Sequence, residues 1–376
     1  MPSPRILSHF DQPSERMPGS HLKVRGWVAS MAPIRQIATS RAARIELSRE
    51  ERPDVSAAHP DYPYVTGFKG LIPPNAMDGD TLTLVCSSEE GEAGISNEIR
   101  EAQPAADKRA RLERIRPFLR RDLPCRETSF HFDFLTPEIR ARCHVEDTEN
   151  VSEFAYAPMV RELIDACAGG LALDCGAGRR SGCLPNVINL EIVPYPSTDV
   201  LATNEQLPFQ DNTFDLVISC AVLEHVRYPF EAAREITRVT KPGGLIYADV
   251  PFLQPYHGYP SHYYNMTHQG LANLFSESCE IEKSFVPRYG LPIWSLTWFL
   301  NSYLAGLPSE ERERFASMRV SDLIGNTMEY LDQPFVKELS DAKNLELASV
   351  TSVLARKNAK LEKQTTGSFF SIFRRK

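Results

Sequence analysis

Residues 171–178 (LALDCGAG) constrain the fold of this chain more than any other stretch. An apolar run ends in an acid, Asp174, and glycines follow at alternate positions, Gly176 and Gly178. This is the pattern of a buried parallel strand that turns into a loop where a ligand can approach the backbone closely. A loop that binds a nucleotide diphosphate offers bare amide N–H groups to the anion. A carboxylate at the strand end suits a cationic ammonium group instead.

Apolar segments alternate with helical ones on both sides of this loop. The predicted strands are 171–174, 186–191, 199–201, 214–220 and 245–250, and the predicted helices are 156–168 and 229–239. Segment 214–220 (FDLVISC) is almost continuously apolar, as in a strand buried on both faces. The alternation predicts an α/β fold with a doubly wound, Rossmann-like sheet, in which ligands bind beyond the carboxyl ends of the strands.

Together these segments resemble the class I S-adenosylmethionine-dependent methyltransferases, in particular the branch of ubiquinone and small-molecule methyltransferases. The resemblance covers roughly residues 150–285 and rests on linked motifs. These are DxGxG at 174–178, LPF at 207–209 followed by FD at 214–215, LEHV at 223–226 and KPGG at 241–244. It implies that S-adenosylmethionine is the cofactor. The residues it implies for cofactor binding are Asp174, Gly176, Gly178, Glu191, Thr203, Asn204, Cys220 and His225.

Two departures from the family pattern affect these assignments. The family usually has an aspartate four residues before LPF, where this chain has Thr203 followed by Asn204, although either can hydrogen-bond an adenine. The glycine after Gly178 comes one position later than in a dinucleotide fingerprint. Glu191 stands where the family's second strand ends in an acid, and a carboxylate there can accept both ribose hydroxyls. Taken singly, Glu191 can also be a surface acid and His225 a structural residue.

The loop after the fifth strand, residues 251–267 (PFLQPYHGYPSHYYNMT), is rich in groups that can act on a methyl acceptor. It leaves the carboxyl edge of the sheet, where the methyl group should point. A hydroxyl acceptor benefits from a general base, most often histidine, and we predict His257, His262 and Tyr263 as catalytic residues. Similar loops occur in methyltransferases encoded for bacterial polysaccharide modification, and aromatic rings with polar tips suit sugar-like or phenolic acceptors.

Two other interpretations of this loop stay open. It can be a structural loop held together by histidine and tyrosine hydrogen bonds. His257 and His262 can also be metal ligands, but the sequence shows no obvious carboxylate partner nearby, so we predict no metal site.

The N-terminal third of the chain differs in character. Residues 1–20 are polar and proline-rich and predict a flexible arm. Residues 21–88 contain several short alternating stretches and predict a small β-sandwich domain, and the part around 52–68 resembles a β domain of some bacterial glycosyltransferases. Residues 89–122 are rich in charge and predict a solvated helical linker.

The C-terminal two thirds are predicted to form one domain and a tail. Residues 123–358 are assigned to the methyltransferase domain, with a cap insertion at about 286–340 and a final sheet strand at 345–356. Residues 359–376 form a basic aromatic tail. Such a tail predicts either peripheral contact with an anionic membrane or a solvated terminus.

Composition narrows the classes of partner. The net charge of −7 and the pI near 5.8 argue against nucleic-acid binding by overall charge. The eight cysteines include no C-x-x-C pair, which fits a reducing cytoplasm. No apolar run reaches the roughly 18 residues of a membrane-spanning helix.

The resemblance and the loop together imply O-methylation of a glycan, glycolipid or related small-molecule acceptor in bacterial cell-surface polysaccharide metabolism. The alternative is a non-catalytic carbohydrate- or partner-binding scaffold that retains the fold. The sequence leaves the oligomeric state open.

Overall fold

The computed structural model describes residues 6–12, 15–16, 22–40, 45–73, 81–89, 91–101, 104–146, 152–258 and 261–352. The chain divides into two compact units, residues 1–290 and 291–376.

The N-terminal part of the first unit consists of short strands and one helix. They are β1 (Ile6–Gln12), β2 (Glu15–Arg16), β3 (Leu22–Ser30), β4 (Ile34–Thr39), β5 (Ser48–Glu50), α1 (Pro53–Ala58), β6 (Tyr64–Ile72), β7 (Thr81–Ser88), β8 (Gly91–Glu98) and β9 (Arg100–Glu101). One antiparallel sheet has the order β1-β3-β6-β5 and a second has the order β4-β7-β8, while β2 pairs with β9. Alternate side chains of both sheets, such as Val24, Phe68 and Leu84, are fully buried in one shared cluster.

Two predicted boundaries in this region are wrong. The predicted arm contains strand β1, because Ile6 and Phe10 pack against the shared cluster and give residues 6–12 an apolar face. The predicted helical linker begins with strand β8, since Ile95 is buried and β8 pairs with β7 along its whole length.

The predicted linker also contains a helix, α2 (Ala106–Ile115), but one side of this helix is buried rather than solvated. Lys108 and Arg111 are buried, and both contact the buried carboxylate of Asp199. The helix also buries Leu112 and Ile115 in the core of the methyltransferase-like sheet. The charge run therefore contains an inward-facing side, which composition alone did not distinguish from a solvated one.

The predicted doubly wound sheet is present in residues 126–249. Its elements are β10 (Arg126–Glu127), β11 (Phe132–Asp133), α3 (Pro137–Cys143), α4 (Pro158–Ala166), β12 (Ala172–Cys175), β13 (Val187–Glu191), β14 (Val200–Leu201), β15 (Phe214–Cys220), α5 (Pro229–Val239) and β16 (Thr240–Asp249), followed by α6 (His268–Phe275). The strand order is β10-β11-β14-β13-β12-β15-β16, and all neighbours except β10 and β11 are parallel. The order reverses at β12, which places the glycine loop at the switch point where such sheets bind ligands.

The connection between β12 and β13 has no helix. Residues 176–186 cross from one parallel strand to its neighbour as an irregular loop, although such crossovers usually carry an α-helix. The predicted strand boundaries around it are correct to within one residue.

The second unit is helical. Its elements are α7 (Pro292–Ala305), α8 (Ser309–Ala316), α9 (Val320–Leu323), α10 (Pro334–Lys337) and α11 (Asp341–Glu346). Leu307, Phe315, Phe335 and Leu339 form its buried core.

The predicted return of the chain to the sheet is wrong as far as the structure extends. Residues 341–346 are helix, and no strand follows within residues 347–352. The segment predicted as a cap insertion therefore lies mostly in a separate compact unit. The basic aromatic tail, residues 359–376, lies outside the described residues. Within the described ranges, no helix has both the length and the apolar composition needed to cross a bilayer.

Candidate functional site

The glycine loop after β12 requires glycine at both motif positions. Gly176 has φ of +76° and Gly178 has φ of +65°, in the left-handed region that disfavours side chains. A Cβ at Gly176 would lie 2.5 Å from Val222 Cγ2, and one at Gly178 would lie 2.6 Å from the carbonyl oxygen of Ser152. The pattern therefore reflects both backbone conformation and the close approach of two other segments.

The backbone N–H groups of this loop are all used within the chain. The N–H groups of residues 176 and 177 both donate to Leu190 O, at 2.9 and 3.0 Å. Residue 178 donates to Glu191 Oε1 at 3.1 Å. Residue 179 donates to Ser152 O at 2.7 Å, and residue 180 donates to Ser197 Oγ at 3.0 Å. A phosphate-binding loop would direct such groups at its ligand. In this structure the N–H groups of residues 176–180 instead hold the loop against other parts of the chain.

Asp174 is buried at the end of β12, with 1% of its surface exposed. Its Oδ2 accepts hydrogen bonds from Tyr156 Oη and from Arg180 Nη2, each at 2.6 Å. Its Oδ1 is buried and has no hydrogen-bond partner among the described residues. Burial raises the pKa of Asp174, and the nearby guanidinium of Arg180 opposes that rise. A buried oxygen with unused acceptor capacity fits an ammonium donor, as predicted for S-adenosylmethionine.

Arg180 is a residue of the site that the sequence analysis missed. Its guanidinium lies 4.2 Å from the ring centre of Phe154 and 4.0 Å from that of Tyr156, and its Nη1 donates to Phe154 O at 2.6 Å. Such a stacked, hydrogen-bonded guanidinium is held firmly in place. The sequence shows an arginine pair directly after the second glycine of the motif. The aromatic partners of Arg180 lie some 25 residues earlier, so the pair alone does not indicate this role.

The other predicted cofactor residues lie at neighbouring strand ends. The carboxylate of Glu191, at the end of β13, accepts from Gly178 N at 3.1 Å and from Ile192 N at 2.6 Å, so it braces the glycine loop. Thr203 and Asn204, after β14, are buried. Thr203 Oγ1 lies 3.7 Å from Cys143 Sγ. Asn204 Oδ1 is buried without a hydrogen-bond partner in the described part of the chain, which fits an adenine amino group.

Strand β15 ends in a strained turn. Cys220 is half-buried, and burial beside Asp249 raises the pKa of its thiol. The next residue, Ala221, has φ of +52°, and its N–H donates to Asp249 Oδ1 at 3.0 Å. Left-handed backbone at a residue other than glycine stores strain and is often found at functional sites.

The structure brings three histidines together beyond this turn. The ring centres of His225 and His257 are 5.4 Å apart, those of His225 and His262 are 5.6 Å apart, and those of His257 and His262 are 4.4 Å apart. His225 was predicted to be near the cofactor, whereas its ring contacts the two predicted catalytic histidines. A Cβ at Gly258 would lie 2.1 Å from His225 Cε1, so the loop backbone packs directly on this ring.

The hydrogen bonds distinguish the predicted catalytic residues. His262 Nδ1 accepts from His257 N at 3.0 Å and its Nε2 donates to Asn265 Oδ1 at 2.8 Å, so both ring nitrogens are engaged. The hydroxyl of Tyr263 bonds His144 Nδ1 at 3.3 Å rather than a member of the histidine group. His257 is the predicted catalytic residue whose ring contacts both His225 and His262, while its Nδ1 lies 2.8 Å from Pro255 O.

Glu224 is the second residue that the sequence analysis missed. Its side chain is fully buried, and burial raises its pKa to about 8. The same burial lowers the pKa of His225 to about 4 and also lowers that of His262. A buried carboxyl beside neutral imidazoles is typical of a functional site.

Comparison with known proteins agrees with this geometry. Residues 172–248 match the family model described as "Methyltransferase domain". Residues 172–248 are thus similar to methyltransferase domains, a family whose cofactor is S-adenosylmethionine.

The similar proteins match short parts of the chain. An uncharacterized methyltransferase of Mycobacterium leprae (strain TN) is 44% identical over 55 residues, which is 15% of this chain and 20% of that protein. One of Mycobacterium tuberculosis (strain ATCC 25618 / H37Rv) is 40% identical over 72 residues, 18% of this chain and 28% of that protein. The matched parts thus span about a fifth to a quarter of these relatives.

Among solved structures, a phosphoethanolamine N-methyltransferase 2 of Haemonchus contortus in complex with S-adenosyl-L-methionine is 13% identical with a TM-score of 0.27. The match covers 80% of this chain and 65% of that one. A possible histamine N-methyltransferase of Thermotoga maritima is 20% identical with a TM-score of 0.23, covering 29% of this chain and 62% of that one.

Proposed function

We propose that this chain is an S-adenosylmethionine-dependent methyltransferase that methylates an oxygen atom of a glycan, glycolipid or related small molecule. The observation that carries the proposal is the placement of two groups on one edge of the sheet. The glycine loop with Asp174 follows β12, and the group of His225 and His257 lies beyond β15 and β16. Donor and acceptor sites on adjacent strand ends allow the alignment that an in-line displacement needs.

Different residues would bind the methyl donor and act on the acceptor. Bound S-adenosylmethionine would supply an electrophilic methyl group. The unpartnered Oδ1 of Asp174 and the amide oxygen of Asn204 would hold its ammonium and adenine groups. The acceptor hydroxyl must lose its proton as the carbon–oxygen bond forms, and a neutral histidine is suited to take it. His257 is our first candidate for this base, because it lies on the loop after β16 and its ring contacts both His225 and His262.

The acceptor class is supported by exposed aromatic groups on the same loop. Tyr256 is 56% exposed and Tyr264 is 42% exposed, next to the histidines. Tyr256 also stacks on His262, with ring centres 5.6 Å apart. Aromatic faces beside polar tips suit a sugar ring, which has both apolar C–H faces and hydroxyls. We propose in addition that the protein acts in bacterial polysaccharide metabolism and lies in the cytoplasm. We further propose that its basic aromatic tail contacts the membrane.

Isothermal titration of S-adenosylmethionine into the purified chain tests the donor site. Asp174→Asn should weaken binding by about 10- to 100-fold, the value of one charged hydrogen bond. Asp165→Asn, which changes an exposed aspartate on α4, should leave binding unchanged. Binding of NAD⁺ in place of S-adenosylmethionine would overturn the proposal.

Transfer of a labelled methyl group to fractionated lipid, polysaccharide and small-molecule extracts tests the acceptor. His257→Ala should lower turnover by about 10²- to 10⁴-fold while S-adenosylmethionine still binds. Labelling of a fraction that contains no carbohydrate would contradict the proposed acceptor.

A non-catalytic binding scaffold is the second candidate function. The observation in its favour is the pairing of Asp174 with Arg180, since a resident guanidinium already neutralises the carboxylate. Transfer of labelled methyl to any extract fraction would eliminate this candidate.

We also propose that the N-terminal sheets form a β-sandwich that acts as a recognition domain. The core that the two sheets share supports this proposal.

A further inference from the structure

One carboxylate and two imidazoles converge beyond the ends of β15 and β16. One ligand atom each from Glu224, His225 and His257 can be chosen so that all three lie within 4.8 Å of one another. We propose that these three side chains bind a divalent metal ion. Two imidazoles and a carboxylate are typical ligands of zinc and other first-row transition metals, and they suit magnesium and calcium less well.

The surroundings of Glu224 indicate that its carboxylate would accept a cationic partner. Its side chain is 0% exposed, and both carboxylate oxygens lack a hydrogen-bond partner in the described residues. The one ion-pair partner described within 4.0 Å is His225, whose Nε2 lies 3.7 Å from Oε1. Burial of a carboxyl group without partners is costly, and proteins rarely keep such a group without a purpose. A metal ion would satisfy these oxygens.

The two histidines have the orientation expected of metal ligands. His225 Nδ1 lies 2.7 Å from Ser261 O and His257 Nδ1 lies 2.8 Å from Pro255 O. Because a carbonyl oxygen only accepts, both Nδ1 atoms carry the proton, and Nε2 is the basic nitrogen of each neutral ring. Histidine ligands almost always donate their other N–H in this way, which fixes the ring for the metal.

The distances are close to those of a formed site. Ligand atoms at about 2.0–2.2 Å from a tetrahedral zinc ion lie roughly 3.3–3.6 Å from each other. His225 Nε2 lies 3.7 Å from Glu224 Oε1, which is near this value. The three ligand atoms lie within 4.8 Å of one another, so formation of the site needs an inward shift of at most about 1 Å. His225 is held by the loop at Gly258, so that shift falls mainly on His257.

Three protein ligands leave a coordination position open, as in catalytic rather than structural zinc sites. The open position would lie on the edge of the sheet where the proposed function places the acceptor. An acceptor oxygen bound there would be oriented by the ion and would lose its proton to solvent more readily. With the ion bound, His257 acts as a ligand and not as the base that takes this proton. This role rests on the proposed methyl transfer, whereas metal binding itself does not.

Titration of Zn²⁺ into the chelator-treated full-length chain, followed by calorimetry and by metal analysis after dialysis, tests the site directly. We expect one equivalent of Zn²⁺ to bind more tightly than Mg²⁺. Glu224→Gln and His257→Ala should each weaken Zn²⁺ binding by at least about tenfold, since even indirect contacts to metal ligands have effects of that size. His268→Gln, which changes an exposed histidine of α6, is the matched control and should bind as the unchanged chain does.

Absence of Zn²⁺ binding, or equal affinity in all four proteins, would overturn the inference. Co²⁺ provides a second readout, because its visible absorption reports nitrogen and oxygen ligands even if a variant loses activity. Loss of the Co²⁺ spectrum in His257→Ala but not in His268→Gln supports the site, and an unchanged spectrum in His257→Ala overturns it. A chain that binds Zn²⁺ but transfers no methyl group would refute the proposed function and leave the metal site standing.

Discussion

Replacement of Asp199 by asparagine tests whether helix α2 is part of the methyltransferase fold. Asp199 is 0% exposed and accepts from Lys108 Nζ at 2.8 Å and from Arg111 Nε at 3.3 Å. It also accepts from the backbone N–H of Asn189 at 2.9 Å, which joins the pair to strand β13. Asp199→Asn keeps the shape of the side chain but removes the buried counter-charge of Lys108 and Arg111. Arg111 then retains its ion pair with the exposed Asp107, at 3.2 Å.

Removal of one partner from a buried ion pair costs about 3–5 kcal/mol. Because asparagine keeps one acceptor oxygen, we expect a loss of about 3 kcal/mol in the free energy of unfolding. Urea unfolding followed by circular dichroism measures this loss. Asp165→Asn breaks an exposed pair with Arg161 and should cost about 0.5 kcal/mol or less. If Asp199→Asn costs no more than Asp165→Asn, α2 is a solvated linker and our description of it is wrong.

Two further variants test the core and the glycine loop. His131 is 1% exposed, and burial lowers its pKa from 6.5 to about 4. The native chain therefore binds fewer protons than the unfolded chain, and the free energy of unfolding falls as the pH drops from 6.5 to 4. His131→Phe should remove up to about 3 kcal/mol of that fall, measured by urea titrations at several pH values. Equal acid sensitivity of both proteins would contradict this. Gly176→Ala should lower the melting temperature and abolish S-adenosylmethionine binding, because its Cβ would clash with Val222, whereas Gly169→Ala meets no atom within 4 Å and should do neither.

The sheet could be predicted from sequence because buried parallel strands are apolar along their whole length. Segment 214–220 is an example, and it forms β15 with the predicted boundaries. The glycine loop was also predictable, since its conformation admits few residues other than glycine. The predicted strand at 345–356 failed because alternation of apolar residues does not supply a partner strand. Ser340, whose hydroxyl accepts from Lys343 N at 3.4 Å, marked a helix start there instead.

The composition of the candidate site was less predictable, because its contacts join distant parts of the chain. Arg180 depends on Phe154 and Tyr156, which precede the motif. Glu224 was visible in the LEHV motif, but its significance depends on His257, 33 residues later, and on complete burial. Sequence spacing predicts neither property.

The helix-free crossover between β12 and β13 has a consequence for the smallest chain that can fold and bind the cofactor. Residues 152–156 occupy part of the space beside the glycine loop, since Arg179 N donates to Ser152 O at 2.7 Å. Helix α2 is likewise joined to β13 through Asp199. The family match begins only at residue 172. A truncated chain that starts there would retain every recognised motif and still lack two of its supports, so we expect that a chain able to fold and bind the cofactor must begin at or before residue 106.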